Sequence, residues 1–546
     1  MVLQALVRPW QAGAARTFVA DRLVAPRSVA QRAAIGASPP LGPPVDGRRT
    51  RMSDARLPTL GRAPALAGIA AAGGHPMIIQ GGMGVAVSNW RLARAVSLHG
   101  QLGVVSGTGI DTVLVRRLQD GDLGGHMRRA MERFPFQDVA KEALRRYFLP
   151  DGRQPGRPYA RLPLATVQGN RFQRGFMAMA GFVEVCLAKE GHDGPVGMNL
   201  LTKIQLPNMA TLYGAMLAGV NHVLMGAGIP RDIPGLLDLL AQHRPGTMRI
   251  DATVARDAEP VVATFDPAEL GADGLPDLQR PAFFPIVSTH SLASILLKKA
   301  SGSLQGFVVE APTAGGHNAP PRGGKTFDER GQPVYGERDY ADLGQMRELG
   351  LPFWLAGGTA SPEGVRAALE AGAAGVQVGT IFAYCEESGF EAAVKQQVID
   401  RVLAGEADVF TDARASPTGF PFKVVTLPGS LSEEAPYEDR PRVCDLGYLR
   451  EVVRTDEGKL AYRCASEPVA DYVAKGGDIE ETVGRKCLCN ALMANIGLGQ
   501  VQKGREAPEL PLVTSGDDLA SIARVLRPGE TSYSAARVID YLLGTG

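Results

Sequence analysis

The residues best suited to chemistry stand at the ends of short apolar runs. His317 closes the stretch Glu310-Ala311-Pro312-Thr313-Ala314-Gly315-Gly316, and an imidazole that follows two glycines is badly placed to fill a core. With an unperturbed pKa of about 6.5 it suits proton transfer at neutral pH, which makes His317 the candidate catalytic residue. A surface histidine without a role is the alternative. Two turns, Ala356-Gly357-Gly358-Thr359 and Gln377-Val378-Gly379-Thr380, let main-chain amides come close to an anion, and Thr380 adds a hydroxyl. Either turn alone could be a plain chain reversal; two at successive late strand ends point to phosphate. Gln80-Gly81-Gly82-Met83-Gly84 allows backbone to lie flat against a planar ligand, with Met83 as an apolar contact. Asn199, in Gly197-Met198-Asn199-Leu200, offers a paired donor and acceptor to such a ligand's edge. The competing readings are a flexible turn for the first and a helix cap for the second.

These residues need strands that end together. Apolar runs at 77–80, 103–106, 195–199, 221–225, 284–288, 306–310, 353–356 and 375–379 each end in glycine or a small polar residue and lead into helical periodicity. Strands that are apolar throughout, rather than alternating, belong to a parallel sheet covered on both faces. Eight of them predict a closed (β/α)8 TIM barrel, with an open doubly wound sheet as the alternative. Ser361-Pro362-Glu363 predicts a helix start whose inward face is Val365, Ala368, Leu369 and Gly372. Ser88 predicts another, carrying Leu92 and Val96. In such a barrel the chemistry lies at the C-terminal ends of the strands, and phosphate is commonly held after strands seven and eight.

The chain of 546 residues exceeds one minimal barrel. Helical insertions are expected near 120–190 and 228–283, the second with a strand-like stretch at 248–254, and a C-terminal extension at 406–546 is expected to cover the barrel mouth. The barrel itself takes 52–405. Residues 1–51 hold eight Arg and two Asp and read as an unstructured or over-extended leader, with Met52 as the start, or else as a transit peptide. Lys+Arg 58 against Asp+Glu 57 leaves a net charge of +1, which offers no bulk attraction to nucleic acid or an anionic membrane. No apolar run reaches membrane-spanning length, so a cytoplasmic protein is expected. Cys444, Cys464, Cys487 and Cys489 cluster late in the chain; their spacing matches no familiar metal pattern, and reduced, packed thiols are expected rather than a metal site.

At the quoted motifs the chain resembles the nitronate monooxygenase (2-nitropropane dioxygenase) family and its relatives, the FMN-dependent enoyl-acyl-carrier-protein reductases. The resemblance runs from about residue 76 to 422 with interruptions. It implies FMN as cofactor, with Met83 and Gly84 lining the ring, Asn199 touching it, and Gly357, Gly358, Gly379 and Thr380 on the phosphate. Gln80, Gly82, Glu310, Gly315, Gly316, Gln377 and Val378 complete the expected cofactor site, and His317 stands where the family's general base stands. Ser288 falls where some members carry a lysine. The implied reaction is oxidation of alkyl nitronates or nitroalkanes with dioxygen. An NAD(P)H-dependent enoyl thioester reductase is the alternative, a small acid or thioester then being the substrate. A non-redox barrel that binds a sugar phosphate and a silent binding protein are the remaining ones.

Overall fold

The computed structural model describes residues 74–545 apart from 254–258, 325 and 456; the leader 1–51, Met52 and the last residue of the 248–254 stretch lie outside the described residues. Eight parallel strands form one sheet: Ile78–Gln80, Gly103–Ser106, Val196–Leu201, His222–Gly226, Ala282–Val287, Phe307–Glu310, Phe353–Ala356 and Gly375–Val378. Their spatial order, first-eighth-seventh-sixth-fifth-fourth-third-second, follows the chain around a ring. A parallel bridge between Ile79 and Leu102, with Gln80 N donating to Leu102 O at 3.0 Å, joins first strand to second and closes the barrel. A closed sheet has no unpaired edge.

Two layers of apolar packing hold this barrel. Inside, Ile79, Val104, Leu224, Phe284, Val308 and Trp354 form one cluster, with Phe284 stacked on Trp354 at 4.8 Å and Trp354 Nε1 donating to Pro76 O at 2.9 Å. Outside, the larger core lies between strands and helices. Helix starts follow local capping chemistry: Ser361 Oγ accepts from Gly364 N, as its sequence implied. That helix, Pro362–Glu370, buries Val365 and Ala368 but ends before Gly372, which is exposed and takes φ +86° to reverse the chain. Gly372 is therefore a helix terminator and not part of the inward face. The first helix, Trp90–Leu98, is capped by Asn89, whose side chain accepts from Leu92 N, and not by Ser88.

The insertion at 120–190 is helical, ending in the long, buried helix Arg171–Ala188. In the second insertion the expected single strand is two short ones. Gly246–Arg249 pairs antiparallel with Val262–Phe265, while Ala252–Thr253 pairs with Glu451–Arg454 of the C-terminal region. Beyond the helix Ala392–Leu403 the chain makes the antiparallel pair Val409–Asp412 and Phe422–Val425. A further pair, Glu451–Arg454 with Leu460–Arg463, and short helices follow. This region is fastened to the barrel's flank, where Tyr448 OH meets Thr112 Oγ1 at 2.6 Å, and to the loops after the sixth and eighth strands. No helix among the described residues is long and apolar enough to cross a membrane.

Candidate active site at the barrel mouth

The strand ends bring the first, third and eighth loops into contact. Ser88, fully buried, ties the first loop together: its Oγ accepts from Met83 N at 2.8 Å and from Gln80 Nε2 at 2.7 Å, and donates to Gly81 O at 2.9 Å. The Gln80 side chain is engaged within the barrel, its Oε1 accepting from Val104 N at 3.0 Å. Asn199 Nδ2 donates to Gly82 O at 2.7 Å. A Cβ on Gly82 would lie 2.2 Å from Asn199 Cβ, and one on Gly379 would lie 3.5 Å from Met83 Sδ, so these loops are in van der Waals contact with little room for larger residues at Gly82. Gly84 abuts Ser106 and Thr108.

Asn199 Oδ1, Gln377 Oε1 and Thr359 Oγ1 are among the buried oxygens at this end of the barrel that lack a partner among the described residues. An unpaired buried acceptor costs about 1–3 kcal/mol, and ligand donors relieve that cost. Gly357 and Gly358 both take left-handed backbone, φ +94° and +72°. Val378 is buried and its carbonyl accepts from Gly81 N at 2.8 Å, while Gly379 precedes the short helix Thr380–Ala383. The amides of Gly357, Gly358 and Gly379 donate to no acceptor among the described residues, and the Thr380 amide opens the helix and so has no intrahelical partner. Main-chain donors of this kind are what an anion at a helix start requires. Gly315 and Gly316 lie beside Ser515 and Thr514 of the C-terminal region.

His317 pairs as a β-bridge with Phe422, and its ring packs edge-on against that phenyl at 4.9 Å. Nε2 lies 2.7 Å from Ser416 Oγ, while Nδ1 has no hydrogen-bond partner among the described residues. Burial, with a smaller contribution from the Lys203 ammonium, pushes the imidazole pKa down to about 4. Glu310 ends the sixth strand, its carboxyl makes no hydrogen bond among the described residues, and burial pushes that carboxyl up to about 8.

Several residues at the mouth were not singled out from the sequence. Ser416 is bonded to His317 and to Thr418 Oγ1 at 2.8 Å. Lys203 stands 5.2 Å over the Phe420 ring and makes no ion pair among the described residues. Arg322 reaches back to the fifth strand end, donating to Thr289 Oγ1 at 2.9 Å and Ser288 Oγ at 3.4 Å, so the serine there is accompanied by a guanidinium from the following loop. His290, which opens the helix after the fifth strand, accepts from Asp342 N at 3.3 Å. The four late cysteines are free thiols, Cys464 and Cys487 buried and Cys444 and Cys489 half-buried, and Cys464 Sγ meets Ser466 Oγ at 3.2 Å. Among the described residues no group of three or more His, Cys, Asp and Glu side chains is arranged to hold a metal ion.

Comparison with known proteins bears on residues 192–412, which match the family model for nitronate monooxygenase. That interval contains Asn199, His317 and both late glycine turns. A nitronate monooxygenase of Pseudomonas aeruginosa is 30% identical over 216 residues, 39% of this chain and 54% of that protein. The chain thus matches about half the length of this relative. Among solved structures, FabK from Thermotoga maritima aligns over 86% of this chain and 92% of its own at 16% identity and a TM-score of 0.40. A nitroalkane oxidase from Streptomyces ansochromogenes aligns over 86% and 94% at 16% identity and a TM-score of 0.37. Superpositions this loose transfer no residue.

Proposed function

We propose that this chain, which resembles the nitronate monooxygenases through its matched segment, is an FMN-dependent oxidoreductase that oxidises an alkyl nitronate or nitroalkane with dioxygen as acceptor. The observation that carries the reading is that one end of a parallel barrel carries unpaired buried oxygens and glycine turns, with a half-buried imidazole on the loop after its sixth strand. These groups fit a flavin: Asn199 Oδ1 and Gln377 Oε1 await donors, Gly82 and Gly84 leave a flat backbone surface, and Met83 gives an apolar contact. Gly357, Gly358, Gly379 and Thr380 would hold the phosphate, and Gly315 and Gly316 the wall beside it. Gln80 and Val378 support this site through the backbone contacts they make. When bound, the flavin supplies the two-electron chemistry and the reaction with dioxygen.

What the protein's own residues do follows from their charge states. His317, neutral above about pH 4, accepts the α-proton of a nitroalkane at Nδ1 while Nε2–H donates to Ser416 Oγ. A substrate that arrives already as the nitronate needs no such transfer, and the same imidazole orients it. Lys203 brings a positive charge near that imidazole and makes no ion pair among the described residues, which favours an anionic substrate. Glu310 holds its proton at neutral pH and so presents a neutral donor at the sixth strand end.

Anaerobic stopped-flow reduction of the purified, yellow protein tests the reading. Rapid bleaching by propyl-2-nitronate with no response to NADH or NADPH is expected. Bleaching by NADPH, followed by reoxidation with an enoyl thioester, would assign the reductase reaction instead. A colourless protein that takes up no FMN would remove both.

A further inference from the structure

We propose that residues 513–517 of the C-terminal region are a working part of the phosphate clamp, with Gly516 positioning the Thr380 hydroxyl for the anion. This rests on the FMN reading above. The segment is stitched to the barrel mouth from both sides. Its Val513 carbonyl accepts from Val425 N at 2.9 Å, which extends the pair Val409–Asp412 and Phe422–Val425 outward. Thr514 Oγ1 accepts from Gly316 N at 3.0 Å, Ser515 Oγ meets Tyr384 OH at 2.6 Å, and Asp517 N donates to Thr313 O at 3.0 Å. The Asp517 carboxylate takes the buried Lys423 ammonium at 2.7 Å, and Lys423 N in turn donates to Gly316 O at 3.0 Å.

At the centre of this seam, Gly516 N donates to Thr380 Oγ1 at 2.9 Å. A threonine hydroxyl has one proton and two lone pairs. With one lone pair engaged by an amide, its proton remains available for an acceptor, and an anion at the eighth-strand turn is such an acceptor. The same contact explains why glycine stands at 516. A Cβ there would lie 2.9 Å from Thr313 O, 3.1 Å from Thr380 Oγ1 and 3.3 Å from Gly315 N, while a Cβ on Gly315 would lie 2.7 Å from Gly516 N. Two glycines meet back to back so that the segment reaches the threonine. Thr313 passes the contact on, since its Oγ1 would lie 2.8 Å from a Cβ on Gly357. The loops after strands six, seven and eight are thereby tied to one another through residues that lie outside the barrel's own repeat.

The comparison of FMN with riboflavin, which differ by the phosphate, isolates this role. Dissociation constants of both for the full-length apoprotein are measured by quenching of flavin fluorescence. In Gly516→Ala the preference for FMN over riboflavin is expected to fall about tenfold, the scale of one charge-assisted hydrogen bond, with riboflavin binding little changed. Thr380→Val is expected to lower the same preference to a similar extent, and Gly516→Ala in the Thr380→Val background to lower it no further. An unchanged preference in Gly516→Ala overturns the proposal, as does an undiminished effect in the absence of the threonine hydroxyl, or a parallel loss of both flavins. Should Gly516→Ala lack native near-ultraviolet circular dichroism, Thr514→Val, which removes only the acceptor for Gly316 N, is expected to lower the preference about threefold, and no change there overturns the proposal equally. Wild-type protein that binds FMN and riboflavin alike refutes a phosphate clamp of any kind, and wild-type protein that binds neither refutes the cofactor reading and this proposal with it.

Discussion

Gly82→Ala probes the contact on which the mouth's shape depends. The added methyl would lie 2.2 Å from Asn199 Cβ, where ordinary contacts begin at 3.4 Å, so 1.2 Å (3.4 − 2.2) must be recovered by movement. Asn199 has little freedom to move: it pairs with Ser106 in the ladder of the second and third strands, and its carbonyl accepts from Gly107 N at 2.8 Å. The first loop must therefore give way, and Ser88 holds that loop by three hydrogen bonds. Overpacking of this kind costs about 1–3 kcal/mol, and loss of the bond from Asn199 Nδ2 to Gly82 O adds about 1 kcal/mol. A destabilisation of roughly 2–4 kcal/mol is expected on those two grounds. Urea unfolding of the apoprotein measures it, and flavin titration should show a weaker ring site for FMN and riboflavin alike. An apoprotein within about 0.5 kcal/mol of wild type, the range of an ordinary surface substitution, together with unaltered flavin affinity, would show that the two loops do not meet.

Further outcomes are expected at three residues. His317→Gln should lower kcat/KM for a neutral nitroalkane by about 10²- to 10⁴-fold and for the pre-formed nitronate far less; equal losses on both would remove proton transfer from its role. Because the folded His317 pKa is depressed to about 4, the nitroalkane rate in wild type should be flat from pH 5 upward as far as this group is concerned. The folded state also binds fewer protons here than the unfolded chain, so this histidine's share of stability is lost as pH falls from about 6.5 towards 4, and His317→Gln should flatten that limb in acid unfolding curves. Glu310 has the opposite sign: with its folded pKa raised to about 8, its contribution is complete below about 4.5 and lost as pH rises through 8. Apo Glu310→Gln should therefore lose less stability than wild type between pH 5 and 9, and parallel curves would mean the carboxyl is not buried as described. Lys203→Met should raise KM for a nitronate about tenfold, with a much smaller effect on a neutral nitroalkane and a weaker dependence of kcat/KM on salt; an unchanged salt dependence would take the lysine out of substrate recognition.

Local chemistry made much of this molecule legible. The strands at 103–106 and 353–356 carry the bounds read from their apolar runs, because a strand buried on both faces must be apolar at every position. Ser361 capped its helix as its neighbours implied, since capping involves residues three positions apart. Ser88 shows where that logic stops. It too is a good cap by type, yet Asn89 beside it takes the cap, and the serine is drawn into the first loop by Met83 and Gln80. Gly372 likewise ended a helix whose face its spacing had extended.

The far side of the site was decided by tertiary structure. Ser416 lies 99 residues from His317, Gly516 136 from Thr380, and Thr514 198 from Gly316. None of these partners belongs to the repeating strand-and-helix pattern, and a serine or glycine in a loop has no periodicity to mark it. The amino-acid sequence on its own determined that strands of one kind recur and that glycines and a histidine follow them. Which hydroxyl meets the imidazole, and which segment reaches the eighth-strand turn, depended on the closing of the barrel, because only a closed ring of strands brings loops so distant in the chain to one rim.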